Sequence, residues 1–221
     1  MAIYFIVAAI AYLLGSSPFG YILMRVFRGE DVRAIGSGNI GATNVARKAP
    51  GLGVATLVLD AVKGMCAVLI GNAFAQTGAN PYRADTLGGF VTAYHVDPRF
   101  FMALAAVFAI LGHVFPIWLK FKGGKGVATG VGAFIALAPK AVLIVLLIFV
   151  VIVAAFRYIS LGSIVATAAF PVFAWLLYRY QASPPVLAAM VVASALIIAK
   201  HHENIRRLLA GTEHRFELKH R

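Results

Sequence analysis

The sequence predicts an all-α, polytopic membrane protein of seven transmembrane helices, with the N-terminus outside and the C-terminus cytoplasmic. Three observations carry this. Hydrophobic residues make up 61% of the chain, against the roughly 45–50% typical of soluble domains, and mean hydropathy is +0.87. Apolar runs of about 20 residues recur, the length a helix needs to cross a bilayer. Lys and Arg gather in the segments that seven crossings place on one side, as the positive-inside bias requires.

The first run covers about 2–24, and the first basic residue, Arg25, lies behind it; a cleavable signal peptide shows the opposite arrangement. Gly15-Ser16-Ser17-Pro18-Phe19-Gly20 interrupts the run, and Pro18 is expected to bend the helix near its exit. A polar loop, about 25–51, follows. The second helix, about 52–74, carries Asp60 and Lys63, three apart and so on one face. Charges at that depth are expected to face the bundle interior and neutralise each other or a partner, mainly as structural support. Residues 75–98 form a polar segment rich in turn formers, with a short interfacial helix of its own. The third helix spans about 100–119. The run 127–139 makes about 20 Å of helix, short for a hydrocarbon layer of roughly 30 Å. This fourth helix must therefore be sheltered by its neighbours or start below the surface. The fifth, sixth and seventh span about 141–158, 161–178 and 185–199, and a polar tail, 200–221, closes the chain. There is no internal repeat or low-complexity stretch, so the chain reads as one domain, 1–221.

With seven crossings, all but five of the 20 Lys and Arg residues fall on the cytoplasmic side. The exceptions are Arg83, Arg99, Lys140 and Arg179 outside and Lys63 within a helix. Were Pro139-Lys140 only a kink in one long helix, Arg157 and the tail would move outside, against the bias. The net charge of +12 is thus explained by topological anchors and an anion site. A nucleic-acid module would show a basic face interleaved with aromatics in a soluble domain, and none is present. Cys66 is the single cysteine and excludes an internal disulfide.

Seven crossings put all the polar motifs on one face. The first is Gly36-Ser37-Gly38-Asn39-Ile40-Gly41-Ala42-Thr43-Asn44-Val45-Ala46-Arg47. Its glycines permit close backbone approach, Ser37, Asn39, Thr43 and Asn44 offer uncharged hydrogen-bonding groups, and Arg47 offers a permanent cation. That combination beside a bilayer suits a phosphate; a hydrophilic turn joining two helices fits the local sequence equally. The second is Lys122-Gly123-Gly124-Lys125-Gly126, which opens the fourth helix, where free N–H groups and the macrodipole favour phosphate. It lacks the Walker A spacing. His113 lies near the inner end of the third helix. In the tail, His201, Asn204 and Leu208 share one helical face, with Glu213 beyond. Adjacent His201 and His202 point in different directions and no metal-binding spacing completes a site, so no metal is expected. Arg157-Tyr158-Ile159-Ser160-Leu161-Gly162-Ser163 makes a third inner turn whose hydroxyls can reach the same place.

The runs G-S-G-N-I-G-A-T-N-V-x-R, G-H-x-F-P…F-K-G-G-K-G-V-A-T and H-x-x-N-I-x-R-L-x-x-G-x-E occur in this order. Together they resemble the bacterial acyl-phosphate:glycerol-3-phosphate acyltransferase family, from Gly15 to Glu213. The G-S-x-P-F-G of the first helix, the D-x-x-K-G from Asp60 to Gly64 and the R-Y-x-S-L-x-S turn are similar to the family as well. The departures are the 75–98 insert, longer than expected, and His202, where arginine is expected.

The resemblance implies a seven-helix enzyme of the bacterial cytoplasmic (inner) membrane, with its active site at the cytoplasmic face. It would transfer a fatty acyl group from acyl phosphate to the sn-1 hydroxyl of glycerol 3-phosphate, giving lysophosphatidic acid and inorganic phosphate, the first step of phospholipid synthesis. An activated mixed anhydride needs no cofactor and no covalent enzyme intermediate; what remains is to hold two anions together and stabilise developing charge. The expected catalytic residues are Arg47, Lys125, His201 and Asn204. Substrate binding is expected from Ser37, Gly38, Asn39, Thr43, Asn44, His113, Lys122, Gly123, Gly124, Gly126, Ser163 and Glu213 besides. Ser37, Thr43 and Arg47 would hold one phosphate and the Gly123–Gly126 loop with Lys125 the other. The base is open between His201, His113 and a phosphate oxygen of the donor. Because no carboxylate–histidine pair is evident near the motifs, the substrate-assisted route is preferred. The expected partners are these two substrates and membrane lipid, with the protein a monomer and no nucleic acid.

Two rivals remain. A transporter for a phosphorylated solute shares the short helix and intramembrane charges, but it needs a central site open to both sides. A head-group phosphotransferase needs clustered aspartates for metal, and Asp31, Asp60, Asp85 and Asp97 are scattered.

Overall fold

The structure, a computed structural model, describes residues 2–76, 97, 99–178 and 183–216. Most of the polar segment expected at 75–98, with its interfacial helix, lies outside them. All regular structure among the described residues is helical. In chain order the helices are α1 (Ala2–Gly15), α2 (Phe19–Arg28), α3 (Ala42–Ala46), α4 (Pro50–Gln76), α5 (Arg99–Val114), α6 (Val127–Leu137), α7 (Pro139–Phe156), α8 (Ile159–Tyr178), α9 (Pro184–Ala199) and α10 (His202–Leu209). Short 3-10 turns cover Val32–Ala34 and Ile117–Leu119.

Each apolar run predicted as a helix is helical. Five helices are long and apolar enough to cross a membrane, taking α1 and α2 as one across their break at Ser16–Pro18. A sixth is added if α9 and α10, which meet at a 56° bend, are one broken span. The remaining apolar helix, α6, has 11 residues. It stops at Leu137, short of the expected Pro139, because Pro139 serves instead as the first residue of α7, a position where its missing N–H costs no hydrogen bond.

The short α6 is sheltered by close packing. Thr129, Gly130, Gly132, Ala133 and Phe134 are all buried. At Gly64 of α4 a β-carbon would collide with the Thr129 carbonyl, and at Gly132 with the Ala61 carbonyl. Glycine at both places lets the two backbones touch, the route by which helices associate where lipid removes the hydrophobic drive. The Tyr12 hydroxyl donates to the Phe115 carbonyl over 2.7 Å, tying α1 to the end of α5.

Asp60 and Lys63 neutralise each other as expected, with Nζ 2.7 Å from Oδ1 and both side chains under 5% exposed. Lys63 also donates to the Ser17 carbonyl over 2.7 Å, so the α1–α2 break is pinned to the charged turn of α4.

Candidate functional site

The loop between α2 and α4 is folded around Asn44, which is buried. Its Nδ2 donates to the carbonyls of Val32 (3.1 Å), Ile35 (2.9 Å) and Asn39 (2.8 Å), and its Oδ1 accepts the Ser37 N–H (3.0 Å). An amide carries two N–H bonds and one oxygen, so these contacts commit Asn44 to the loop. Asn44 thus scaffolds the loop with its amide while standing on the wall of the cavity described below. Asn39 likewise closes a turn, accepting the Gly41 N–H over 2.8 Å. Gly38 supplies a left-handed φ of 69° and faces the Arg33 carbonyl. It is therefore a turn residue and does not line the cavity described below. Arg47 ends α3, with its guanidinium lying over Gly36. Among the described residues it has no carboxylate partner.

The glycine loop is used differently from the expectation. The Gly123 N–H donates to the Val114 carbonyl (3.2 Å) and the Gly124 N–H to the His113 carbonyl (3.0 Å). Gly124 is bare because a β-carbon there would strike the His113 ring, and one at Gly123 would meet the His113 carbonyl. These two amides are thus satisfied by the end of α5, and neither glycine reaches the cavity. Lys122 is exposed and also points elsewhere. Lys125 is the loop's contribution: its Nζ donates to Asn204 Oδ1 over 2.5 Å. Gly126, at φ 87°, then turns the chain into α6, whose first N–H groups and dipole end face the same space.

The tail completes the enclosure. Asn204 Nδ2 donates to Glu213 Oε1 (2.6 Å), the Ser160 hydroxyl donates to the same oxygen (2.7 Å), and Arg207 Nε donates to Oε2 (2.6 Å). Burial opposes charge on Glu213, but the Arg207, Ser160 and Asn204 donors outweigh it and hold the carboxyl below its usual range. Glu213 is therefore an anionic strut that fixes Asn204 and through it Lys125. Phe216 is stitched to the α7–α8 turn, its N–H donating to the Arg157 carbonyl over 2.6 Å while Arg157 Nε returns a bond to the Phe216 carbonyl over 3.1 Å.

His201 caps α10 at the bend and is 2% exposed. Its Nδ1 lies 2.8 Å from the Ile197 carbonyl. A carbonyl only accepts, so Nδ1 carries the proton and Nε2 of the neutral ring is the acceptor. Burial first, and the Lys125 cation as well, pushes the ring down to about 4 against the Ile197 contact, so it is uncharged at neutral pH. Burial also lowers the Lys125 ammonium from its ordinary value; Arg47 lowers it further while Glu213 resists.

These elements enclose one cavity of about 870 Å³. Ser37, Asn39, Thr43, Asn44, Arg47, His113, Lys125, Gly126, Ser163, His201, Asn204 and Glu213 all line it, and Gly38, Lys122, Gly123 and Gly124 do not. Ser163 donates its hydroxyl to the Ile159 carbonyl within α8 (2.9 Å), leaving only its lone pairs to the cavity. Ser160 and Arg207 also line it and were not among the expected site residues. Arg207 is three residues past Asn204 on the same helical face, a spacing that marks it; Ser160 carries no such signal.

At the cavity wall the fold makes a carboxylate–histidine pair that the motifs did not reveal. Asp60 Oδ1 of α4, already held 2.7 Å from Lys63 Nζ, also lies 3.5 Å from His113 Nδ1 of α5. The pair joins helices distant in sequence, which is why inspection of the motifs misses it.

Against the polar cavity runs an apolar groove of about 730 Å³ between α4, α6, α7 and α8. Among the residues the two share are Thr43, Leu57, Val127, Ala128, Phe149 and Ser163. A polar chamber with two cations, Arg47 and Lys125, that have no carboxylate ion pair among the described residues, opening into an apolar trough, suits an anionic head joined to a lipid chain.

Residues 5–211 match the sequence profile of the family described as glycerol-3-phosphate acyltransferase. The chain is 43% identical over 218 residues to the glycerol-3-phosphate acyltransferase of Syntrophotalea carbinolica, covering 98% of this chain and 100% of that one. It is 46% identical over 211 residues to that of Trichlorobacter lovleyi, covering 94% of each. Two crystal structures of PlsY (YgiH), an integral membrane glycerol 3-phosphate acyltransferase, superpose on it. The glycerol 3-phosphate form gives a TM-score of 0.79 at 35% identity, covering 97% of this chain and 96% of the other. The lysophosphatidic acid form gives 0.76 at 34%, covering 97% and 95%. With a profile matched along nearly its whole length and relatives this similar, the chain belongs to the glycerol-3-phosphate acyltransferase family.

Proposed function

We propose that the chain transfers a fatty acyl group from acyl phosphate to the sn-1 hydroxyl of glycerol 3-phosphate, releasing lysophosphatidic acid and inorganic phosphate. The observation that carries this reading is the joining of a cationic chamber to an apolar groove, with Arg47, Lys125 and Asn204 on one chamber. Structures of relatives in glycerol 3-phosphate and lysophosphatidic acid forms support the acceptor and the product.

Arg47, with the Ser37 and Thr43 hydroxyls, holds one phosphate, and Lys125 with the start of α6 holds the other. Bringing two anions together needs such cations, because a dry chamber strengthens repulsion and attraction alike. The glycerol oxygen attacks the acyl carbonyl carbon. The bond from that carbon to the phosphate oxygen breaks, and phosphate leaves with the electron pair. The hydroxyl proton passes to an oxygen of the departing phosphate; His113, with Nδ1 turned to Asp60 and Nε2 packed against Gly124, is assigned a structural role. Neutral His201, through Nε2, orients the attacking hydroxyl, and a ring held near 4 is too weak a base to be needed for more. Asn204 keeps Lys125 aimed, and Glu213 keeps Asn204. The donor is already activated, so no cofactor or metal is required.

On this reading the chain is a single-domain monomer crossing the bacterial inner membrane seven times, N-terminus outside, α6 being the short sheltered crossing. The motif loops then share the cytoplasmic face, where glycerol 3-phosphate is available, and no nucleic acid is involved.

The deciding experiment gives purified protein radiolabelled glycerol 3-phosphate with palmitoyl phosphate, with palmitoyl-CoA as control donor and with chelator. Acylation from the phosphate donor alone, unaffected by chelator, is expected. Counterflow of glycerol 3-phosphate into proteoliposomes without acylation would establish the transporter instead. In His201→Gln, near-normal kcat with raised KM is expected; loss of kcat alone would restore the histidine as base.

A further inference from the structure

Resting on the acyl-transfer reading, we propose that Phe134 and Phe170 form the floor of the apolar groove and set the acyl-chain length the enzyme prefers. The groove leaves the polar chamber beside Val127 of α6 and Ser163 of α8. Its lining along both helices ends at one aromatic pair, Phe134 on α6 and Phe170 on α8. Each lies about 10 Å further along its helix than the chamber residue, at 1.5 Å per residue. The rings meet with centroids 4.6 Å apart, tilted by 34°, within the range at which aromatic pairs attract. Phe134 is 4% exposed and Phe170 5%.

The space beyond the rings is filled. Ala138, Ala141 and Ala174 pack with the two rings in one buried cluster, and α6 itself ends at Leu137. A straight acyl chain entering from the chamber therefore meets a closed end. The side wall is not closed. Leu57 and Val58 of α4 line the groove while about half exposed, so a tail longer than the groove must bend past them into lipid. Lipid tails are as apolar as the groove. Excluding the tail thus loses little transfer energy, and selection arises from the bend forced at the rings. Length discrimination should be several-fold, below the tens-fold of a pocket that competes with water.

The test alters depth in both directions and reads a ratio. Full-length wild type, Phe170→Ala and Ala166→Leu are each given an equimolar mixture of lauroyl, myristoyl, palmitoyl and stearoyl phosphate with glycerol 3-phosphate. The lysophosphatidic acids are then resolved by mass. Ala166 lines the groove one helical turn nearer the chamber than Phe170, so enlarging it raises the floor, whereas Phe170→Ala removes it. Phe170→Ala is expected to raise the ratio of the longest to the shortest product by at least about threefold, and Ala166→Leu to lower it by a similar factor. Because the products compete in one tube, partial loss of folded enzyme leaves the ratio unchanged. Phe134→Leu, milder in volume, should move it in the same direction as Phe170→Ala. Wild-type ratios in all three variants, or shifts of one sign in all three, would overturn the floor. No product from any donor with wild type would instead overturn the acyl-transfer reading, and the floor with it.

Discussion

Two glycine-rich loops flank the chamber, and they are built on opposite plans. In the loop before α4, one side chain, Asn44, gathers three carbonyls and an N–H, and Arg47 stands at the far end of the same short helix. In the loop before α6, the two consecutive glycines give up their space to His113 and their N–H groups to the end of α5. Only Lys125 and Gly126 reach the chamber there. Glycine in a sequence marks a place where something comes close. What comes close was expected to be phosphate in both loops, and in the second it is an imidazole.

Removing the cation that the second loop presents has the largest expected effect. Lys125→Met should lower kcat/KM for glycerol 3-phosphate about a thousandfold, the range for losing a charge-stabilising donor, measured by product formation in detergent. Gly124→Ala comes next. It pushes a methyl group into the His113 ring and displaces Lys125, with activity falling about a hundredfold and thermal stability dropping; a normal Gly124→Ala enzyme would mean that the ring is free to move. Asn44→Ala leaves buried carbonyls unpaired and should cost about 3 kcal/mol of stability. Its activity should fall less than that of Lys125→Met, because Asn44 acts through Arg47 and Ser37.

The pH dependence gives a smaller effect. His201 is neutral in the folded chain until pH falls through about 4, below its ordinary 6.5. The turnover rate should therefore show no limb between pH 6 and 8 from this ring, and any limb should appear only toward pH 4. Stability from the neutral ring is complete above 6.5 and declines as pH falls from there to about 4, because the unfolded chain takes up the proton first. A limb near 6.5 that disappears in His201→Gln would contradict the buried, neutral ring. Least of all, Lys122→Met should change kcat/KM by less than about twofold, since that lysine is exposed and outside the chamber. A loss as large as that of Lys125→Met would return the glycine loop to the phosphate-cradle reading.

The helices were legible because a bilayer leaves the backbone few choices: an apolar run of sufficient length becomes a helix that satisfies its own N–H and C=O groups. Arg47, Lys125, His201 and Asn204 were legible as a group because polar residues in such a chain are few and the charge bias led to the expectation of one shared side; all four line one cavity. The use of each one was not. Asn44 and Asn204 have the same chemistry, yet one is enclosed by carbonyls of its own loop and the other bridges Lys125 to Glu213. Ser160 and the Asp60–His113 approach were missed because each depends on which helix lies against which, whereas Arg207 was marked by its spacing from Asn204 and was passed over.

Composition and run length are enough to tell that this chain is helical and lies in a membrane, and the placement of its basic residues raises the expectation of one cationic face. These are properties of individual segments in a given solvent, so no contact need be known to infer them. The division of a chamber into struts and cations, the groove that opens from it and the aromatic pair that ends that groove were decided only by tertiary structure. They depend on distances between side chains on separate helices, and those are fixed by packing, as where Gly64 and Gly132 let α4 and α6 touch.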